Sequence, residues 1–137
     1  MTRHAAYRAS LYRAGEVAVR VGRRSASADR WLARHGAPQG VFLTAWNPLS
    51  RPMPGRWNAQ AMAALRRALR PAPHVEGEGA LGRWRERMLL AALSLRAARR
   101  LARRFRQAAV VVVPRGRPAR LLYVLGPRAA PALHVHA

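Results

Sequence analysis

Twenty-six arginines face only five acidic residues in this chain of 137, a formal net charge of +21. Any fold it adopts must keep that charge spread over its surface. Self-repulsion on this scale opposes compaction and favours a polyanionic partner, meaning nucleic acid, an anionic membrane or an acidic protein. All the positive side chains are arginine; lysine, cysteine and isoleucine are absent, while alanine and arginine together supply 55 residues. A GC-rich coding bias turns lysine into arginine and isoleucine into valine or leucine. It gives no reason to lose acids, so the imbalance needs a physical explanation.

The same counts exclude several chemistries. Without lysine there is no Schiff-base enzyme and no phosphate loop ending in Gly-Lys-Ser/Thr. Without cysteine there is no thiol nucleophile, disulfide, zinc-thiolate or iron-sulfur site. Glu16, Asp29, Glu76, Glu78 and Glu86 are all the acids, too few for a two-metal carboxylate cage. Asp29 is the single aspartate and no Gly-x-Ser-x-Gly elbow occurs, which leaves a hydrolase triad without support. No catalytic residue, metal or cofactor is expected. No stretch approaches the roughly 18 apolar residues of a membrane span, and the N-terminus lacks the apolar core of a secretory signal. The expectation is a soluble cytoplasmic protein, with residues 1–125 as one domain and 126–137 as a flexible Pro/Ala-rich tail.

Hydrophobic periodicity orders the elements. Tyr7 to Arg13 and Glu16 to Val21 flank Ala14-Gly15 and read as a hairpin. Ser25 or Ser27 caps a short helix through Trp31, Leu32 and His35 that ends at Gly36. Val41 to Trp46 is a doubly buried strand, with Asn47 held extended by Pro48. Ala61, Met62, Leu65, Ala68 and Leu69 recur at helical spacing between Asn58 and Arg70, leaving Arg66, Arg67 and Arg70 on the other side. His74 to Gly79 reads as a short strand running into a flexible Gly-rich loop, and Met88 to Leu93 as a buried strand. From Leu95 to Arg106 the apolar Leu95, Ala97, Ala98, Leu101, Ala102 and Phe105 fill half the helical wheel. Arg96, Arg99, Arg100, Arg103, Arg104 and Arg106 fill the other half. Ala108 to Val113 and Ala119 to Leu125 form a final strand pair. The order predicts an α+β sandwich: a ferredoxin-like βαββαβ core with a mainly antiparallel sheet, widened by the N-terminal hairpin and a C-terminal strand, with helices on one face.

Val41-Phe42-Leu43-Thr44-Ala45-Trp46-Asn47-Pro48, then Ser50, the helix residue Asn58 with Leu65 and Leu69, Glu76-Gly77-Glu78-Gly79, Trp84, Glu86 and Phe105-Arg106-Gln107-Ala108 before an apolar strand form a pattern. It resembles the bacterial domain-of-unknown-function family 3293 over roughly residues 7–124. The resemblance implies a real folded domain and assigns no activity. The chain departs from the family pattern at Gly55-Arg56-Trp57, at Arg87 and at Arg106, so the strong basicity belongs to this member.

Two candidate sites follow. Thr44, Asn47 and Ser50 lie at the carboxyl end of a buried strand and Asn58 begins the next helix, so the four converge on one loop of the kind that holds a small anionic ligand or nucleotide. Glu86 and Gln107 flank strands of the same pattern and are candidates to join that pocket. The plainer alternative is that both asparagines bond loop backbone and cap the helix, while Glu86 and Gln107 pair locally. The second site is the arginine helix face, with Arg66, Arg67 and Arg70 and with Arg83-Trp84-Arg85 as a base-stacking platform, contacting RNA or DNA backbones. Its alternatives are a solvated face or a membrane-surface helix. Glu76 and Glu78 share a strand face and are expected to pair with arginines, and His134 and His136 lie in the tail without further metal ligands.

Overall fold

A computed structural model describes residues 2–48 and 51–124. The predicted tail, with His134 and His136, and Ser50 lie outside the described residues. Seven strands form one antiparallel sheet: β1 (Leu11–Ala14), β2 (Val17–Val19), β3 (Gln39–Leu43), β4 (His74–Leu81), β5 (Trp84–Ala91), β6 (Ala109–Pro114) and β7 (Arg120–Tyr123). Four helices accompany them: α1 (Arg3–Ala9), α2 (Ala26–Arg34), α3 (Gly55–Ala68) and α4 (Leu95–Arg104). The strand order is β2-β1-β4-β5-β3-β6-β7, so the chain is α+β, as expected.

The two outermost strands approach each other. Val21, just after β2, forms a parallel bridge with Ala119, just before β7. Gly22 and Ala119 donate their N–H groups across this join to the carbonyls of Ala119 (2.7 Å) and Arg23 (3.0 Å). The sheet therefore curls until its edges meet, which removes part of the unpaired edge that an open sheet leaves.

Alternation along the strands produces two cores. Tyr12, Val17, Val19, Phe42, Met88, Leu90, Val111 and Val113 point to the inner face, where Ala28, Trp31 and Leu32 of α2 cover them. Val41, Leu43, Leu89, Ala91, Val110 and Val112 point outward beneath Met62 and Leu65 of α3 and Ala98 and Ala102 of α4. The helices thus lie on both faces rather than one, because the doubly apolar runs of β3, β5 and β6 require cover on each side. Helix starts follow the serine signals: Ser25 caps α2 by accepting from Ala28 N, and Ser94 caps α4 by accepting from Ala97 N. Gly36 ends α2 with φ +60°.

Three local expectations need correction. Tyr7 sits in a helix, not a strand: Thr2 caps α1 by accepting from Ala5 N, and β1 begins only at Leu11. The strand expected at His74 to Gly79 forms but does not give way to a flexible loop: β4 continues to Leu81, paired with β5 along its length and with β1 from Gly77 to Ala80. Its glycines are needed for close approach, since a Cβ on Gly77 would fall on the Arg13 carbonyl and the Ala14 backbone. Asn47 is not extended but left-handed, with φ 44°, and the reason lies in its hydrogen bonds below.

Candidate functional site

The arginine face is built from the sequence periodicity of α4. Ala98 and Ala102 are buried against the sheet, and Arg96, Arg99, Arg100, Arg103, Arg104 and Arg106 are all exposed. The small buried alanines seat the helix close to the sheet and leave the long side chains at the surface. None of the five acids reaches this face. Glu16, Glu76 and Glu78 pair with Arg34, Arg66 (2.9 Å) and Arg85 (3.8 Å). Asp29 accepts from Gly116 N at 2.8 Å, and Glu86, half-buried, lines a cavity elsewhere. Among the described residues, the six arginines therefore have no carboxylate partner. Arg104 lies over the Phe105 ring at 5.1 Å from its centroid, which orients one guanidinium.

The other predicted basic residues divide. Arg67 and Arg70 are exposed on or just after α3, which covers the same sheet face as α4. Arg66 is engaged with Glu76. Arg83 and Arg85 sit at the tip of the β4–β5 hairpin, where Arg85 donates to the carbonyls of Gly82 (2.6 Å) and Trp84 (2.9 Å). Trp84 opens β5 half-buried and lines a cavity, so its ring and the two arginines do not share one face.

That cavity, of about 50 Å³, gathers four of the six predicted pocket residues: Thr44, Asn47, Glu86 and Gln107. Trp84, Glu86 and Met88 reach it as alternate residues of β5. Tyr12, Gly79 and Glu86 stand in one row across β1, β4 and β5. A Cβ at Gly79 would lie 3.3 Å from the Tyr12 ring and 3.1 Å from Met88 Sδ, so the glycine lets ring and thioether close over the sheet. Tyr7 from α1, Pro52, Ala108 and Ala109 complete the lining.

Asn58 is not in the lining; it stands behind Asn47. It lies in the first turn of α3, whose N-cap is Pro54 with no side-chain cap bond. Asn58 Oδ1 accepts from Asn47 N (3.0 Å), and its Nδ2 donates to Asn47 Oδ1 (2.8 Å) and more weakly to the Met53 carbonyl (3.4 Å). Asn47 Oδ1 also accepts from Met53 N at 3.1 Å. This reciprocal amide pair holds Asn47 in the left-handed region despite Pro48, and asparagine enters that region at less cost than most residues.

The remaining polar groups are largely satisfied by the backbone. Thr44 donates to the Arg87 carbonyl (2.6 Å) and accepts from Trp46 N (3.0 Å). Gln107 Nε2 donates to the carbonyls of Trp46 (3.0 Å) and Phe105 (3.1 Å). Tyr12 donates to the Tyr7 carbonyl at 3.1 Å, and burial raises its phenol above the usual range, with the nearby Glu86 carboxyl adding to the shift. Glu86 has no hydrogen bond or ion pair to any described residue, and desolvation alone pushes its carboxyl up to about 8.

Among the described residues the cavity lining contains one carboxyl and no arginine, so the small anion expected at this loop meets no cationic side chain among them. Tyr7, Tyr12 and Met88 were not anticipated as lining residues. Period-two alternation carried a signal for Met88, since it shares a strand face with Trp84 and Glu86. Nothing local marked the two tyrosines.

Fold and site together define an α+β protein with a curled antiparallel sheet, an arginine helix on its outer face and a small acidic cavity at the ends of β3 and β6. Residues 43–110 match the model of a family described as a protein of unknown function, DUF3293. The chain belongs to that family over this stretch, which is narrower than the resemblance over residues 7–124. It contains every cavity residue except Tyr7 and Tyr12. No curated protein and no solved structure matches the chain.

Proposed function

We propose that this protein binds the phosphate backbone of RNA or DNA through the outer face of α4, as a non-enzymatic contact with little base specificity. The supporting observation is that five exposed arginines share one face of α4, with the exposed Arg106 in left-handed conformation just past its end, while all five acids are engaged or placed elsewhere. Guanidinium groups offer a planar fork to phosphate oxygens and keep their charge at any pH near neutral. Arg67 and Arg70 extend the basic surface on the same side. The strand order β4-β5-β3-β6, joined through α3 and α4, supports reading the platform beneath as a ferredoxin-like core.

Charge reversal tests the proposal. Changing Arg99, Arg100, Arg103 and Arg104 to glutamate leaves Ala98 and Ala102 in place, so the fold is expected to persist by circular dichroism. Binding to random-sequence RNA and DNA is expected to fall at least about a hundredfold, since several phosphate contacts become repulsive. Asn47→Ala with Asn58→Ala is expected to leave that binding intact. Retained binding after the four reversals would overturn the proposal, as would binding to anionic vesicles without binding to nucleic acid.

A further inference from the structure

The small cavity has the opposite character to the surface around it. Glu86 carries a carboxyl without a partner among the described residues, in a chain holding 26 arginines. Thr44 Oγ1 and Asn47 Oδ1 are engaged with the protein, as is the Tyr12 hydroxyl proton. Gln107 spends its Nε2 on two carbonyls, which leaves its Oε1 without a partner among the described residues. The open acceptors are thus the Glu86 oxygens and Gln107 Oε1. The donors left over, Asn47 Nδ2 and the Trp84 indole N–H, are neutral. Aromatic side chains from α1, β1 and β5 stand around them.

The geometry points to a binding site for the ammonium head of a small primary amine, seated beside the Glu86 carboxylate and Gln107 Oε1 and walled by Tyr7, Tyr12 and Trp84. A carboxylate supplies the counter-charge and accepts strong N–H bonds, and aromatic rings attract cations electrostatically. At about 50 Å³ the space holds only a few heavy atoms, so the rest of a longer amine lies outside. This inference does not depend on the arginine face, which is built on another surface.

Binding is coupled to proton release. Among the described residues, the titratable side chains in the lining with Glu86 are Tyr12 from β1 and Tyr7 from α1; β3 and β6 with their flanking loops contribute the uncharged Thr44, Asn47, Pro52, Gln107, Ala108 and Ala109. Glu86 gives up its proton near pH 8, whereas an alkylammonium keeps its own until about pH 10, as lysine does. A cation that needs the carboxylate therefore binds about tenfold more tightly for each pH unit gained below 8, then levels off.

The test titrates the full chain with methylammonium, methanol and acetate while the amide resonances of Glu86 and Gln107 are followed by NMR. Saturable binding of methylammonium alone is expected, about tenfold tighter at pH 9 than at pH 7. Glu86→Gln is expected to abolish it, because the amide keeps the shape and loses the charge. Should that variant not fold, the Glu86 carboxyl resonance of the unmodified protein decides, its midpoint moving down in methylammonium. Acetate binding as well as methylammonium, no saturation at pH 9, an unmoved carboxyl midpoint, or an unaltered response in a folded Glu86→Gln protein would each overturn the inference.

Discussion

The carboxyl of Glu86 makes the folded state depend on pH in an unusual direction. Its folded value of about 8 lies above the ordinary 4.5, so the folded protein holds a proton that the unfolded chain has already released. The stability this group contributes is complete below about pH 4.5 and is lost as pH rises through 8. At about 1.4 kcal/mol per unit, the loss from pH 5 to pH 9 is on the order of 4 kcal/mol. Urea unfolding at the two pH values measures it. Glu86→Gln is expected to flatten the dependence and to exceed the unmodified protein in stability at the higher pH; an unmodified protein equally stable at both would contradict this reading. Asn58→Ala removes the two bonds that hold Asn47 at φ 44°, with an expected cost of about 2 kcal/mol in thermal unfolding. Thr44, Asn47, Glu86 and Gln107 were legible as neighbours because each ends or flanks an apolar strand run. The left-handed Asn47 was not, since its conformation depends on an amide eleven residues away. Nor was the cavity's sign, which depends on where every arginine points.

At the level of elements, α4 is the clearest case of sequence dictating structure. Its apolar and basic residues separate at helical spacing, and Ser94 supplies the cap. Ser94→Ala is expected to cost about 1 kcal/mol, read by chemical denaturation, without altering the arginine face. The β1–β4 pair is more sensitive. At Gly77 a methyl group would displace the Arg13 carbonyl or the Ala14 backbone, so Gly77→Ala is expected to cost at least about 3 kcal/mol and to expose β1 to proteolysis. A neutral result would mean that β1 and β4 do not approach so closely. The glycines here resemble loop punctuation to a local reading, because their purpose is a neighbour distant in sequence. For the same reason α1 escaped notice. It has only seven residues, and its anchors are nonlocal: His4 Nδ1 bonds the Tyr123 hydroxyl at 2.9 Å, and the Tyr7 ring meets Tyr123 edge-on. Helix α2, though anticipated, lies on the face opposite α3 and α4, covering the second apolar side of β3, β5 and β6.

For the molecule as a whole, charge decides both stability and binding. A net +21 spread over the surface is self-repulsive, and at physiological salt the screening length is about 8 Å. Raising sodium chloride from about 10 to 300 mM is therefore expected to raise the melting temperature of the free protein. The same salt should weaken its complex with nucleic acid, because each phosphate contact releases counterions. These opposite responses distinguish an arginine face that binds from one that is merely solvated. The most direct measurement is fluorescence anisotropy of random-sequence RNA, single-stranded DNA and duplex DNA with the salt-washed protein, across about 50 to 500 mM salt. If α4 and its neighbours neutralise about five to eight phosphates, the log-log slope for duplex DNA is about −4 to −7, with little dependence on sequence. Absence of binding at the lowest salt, or binding with a flat slope, would contradict the assignment of the arginine face to a phosphate backbone.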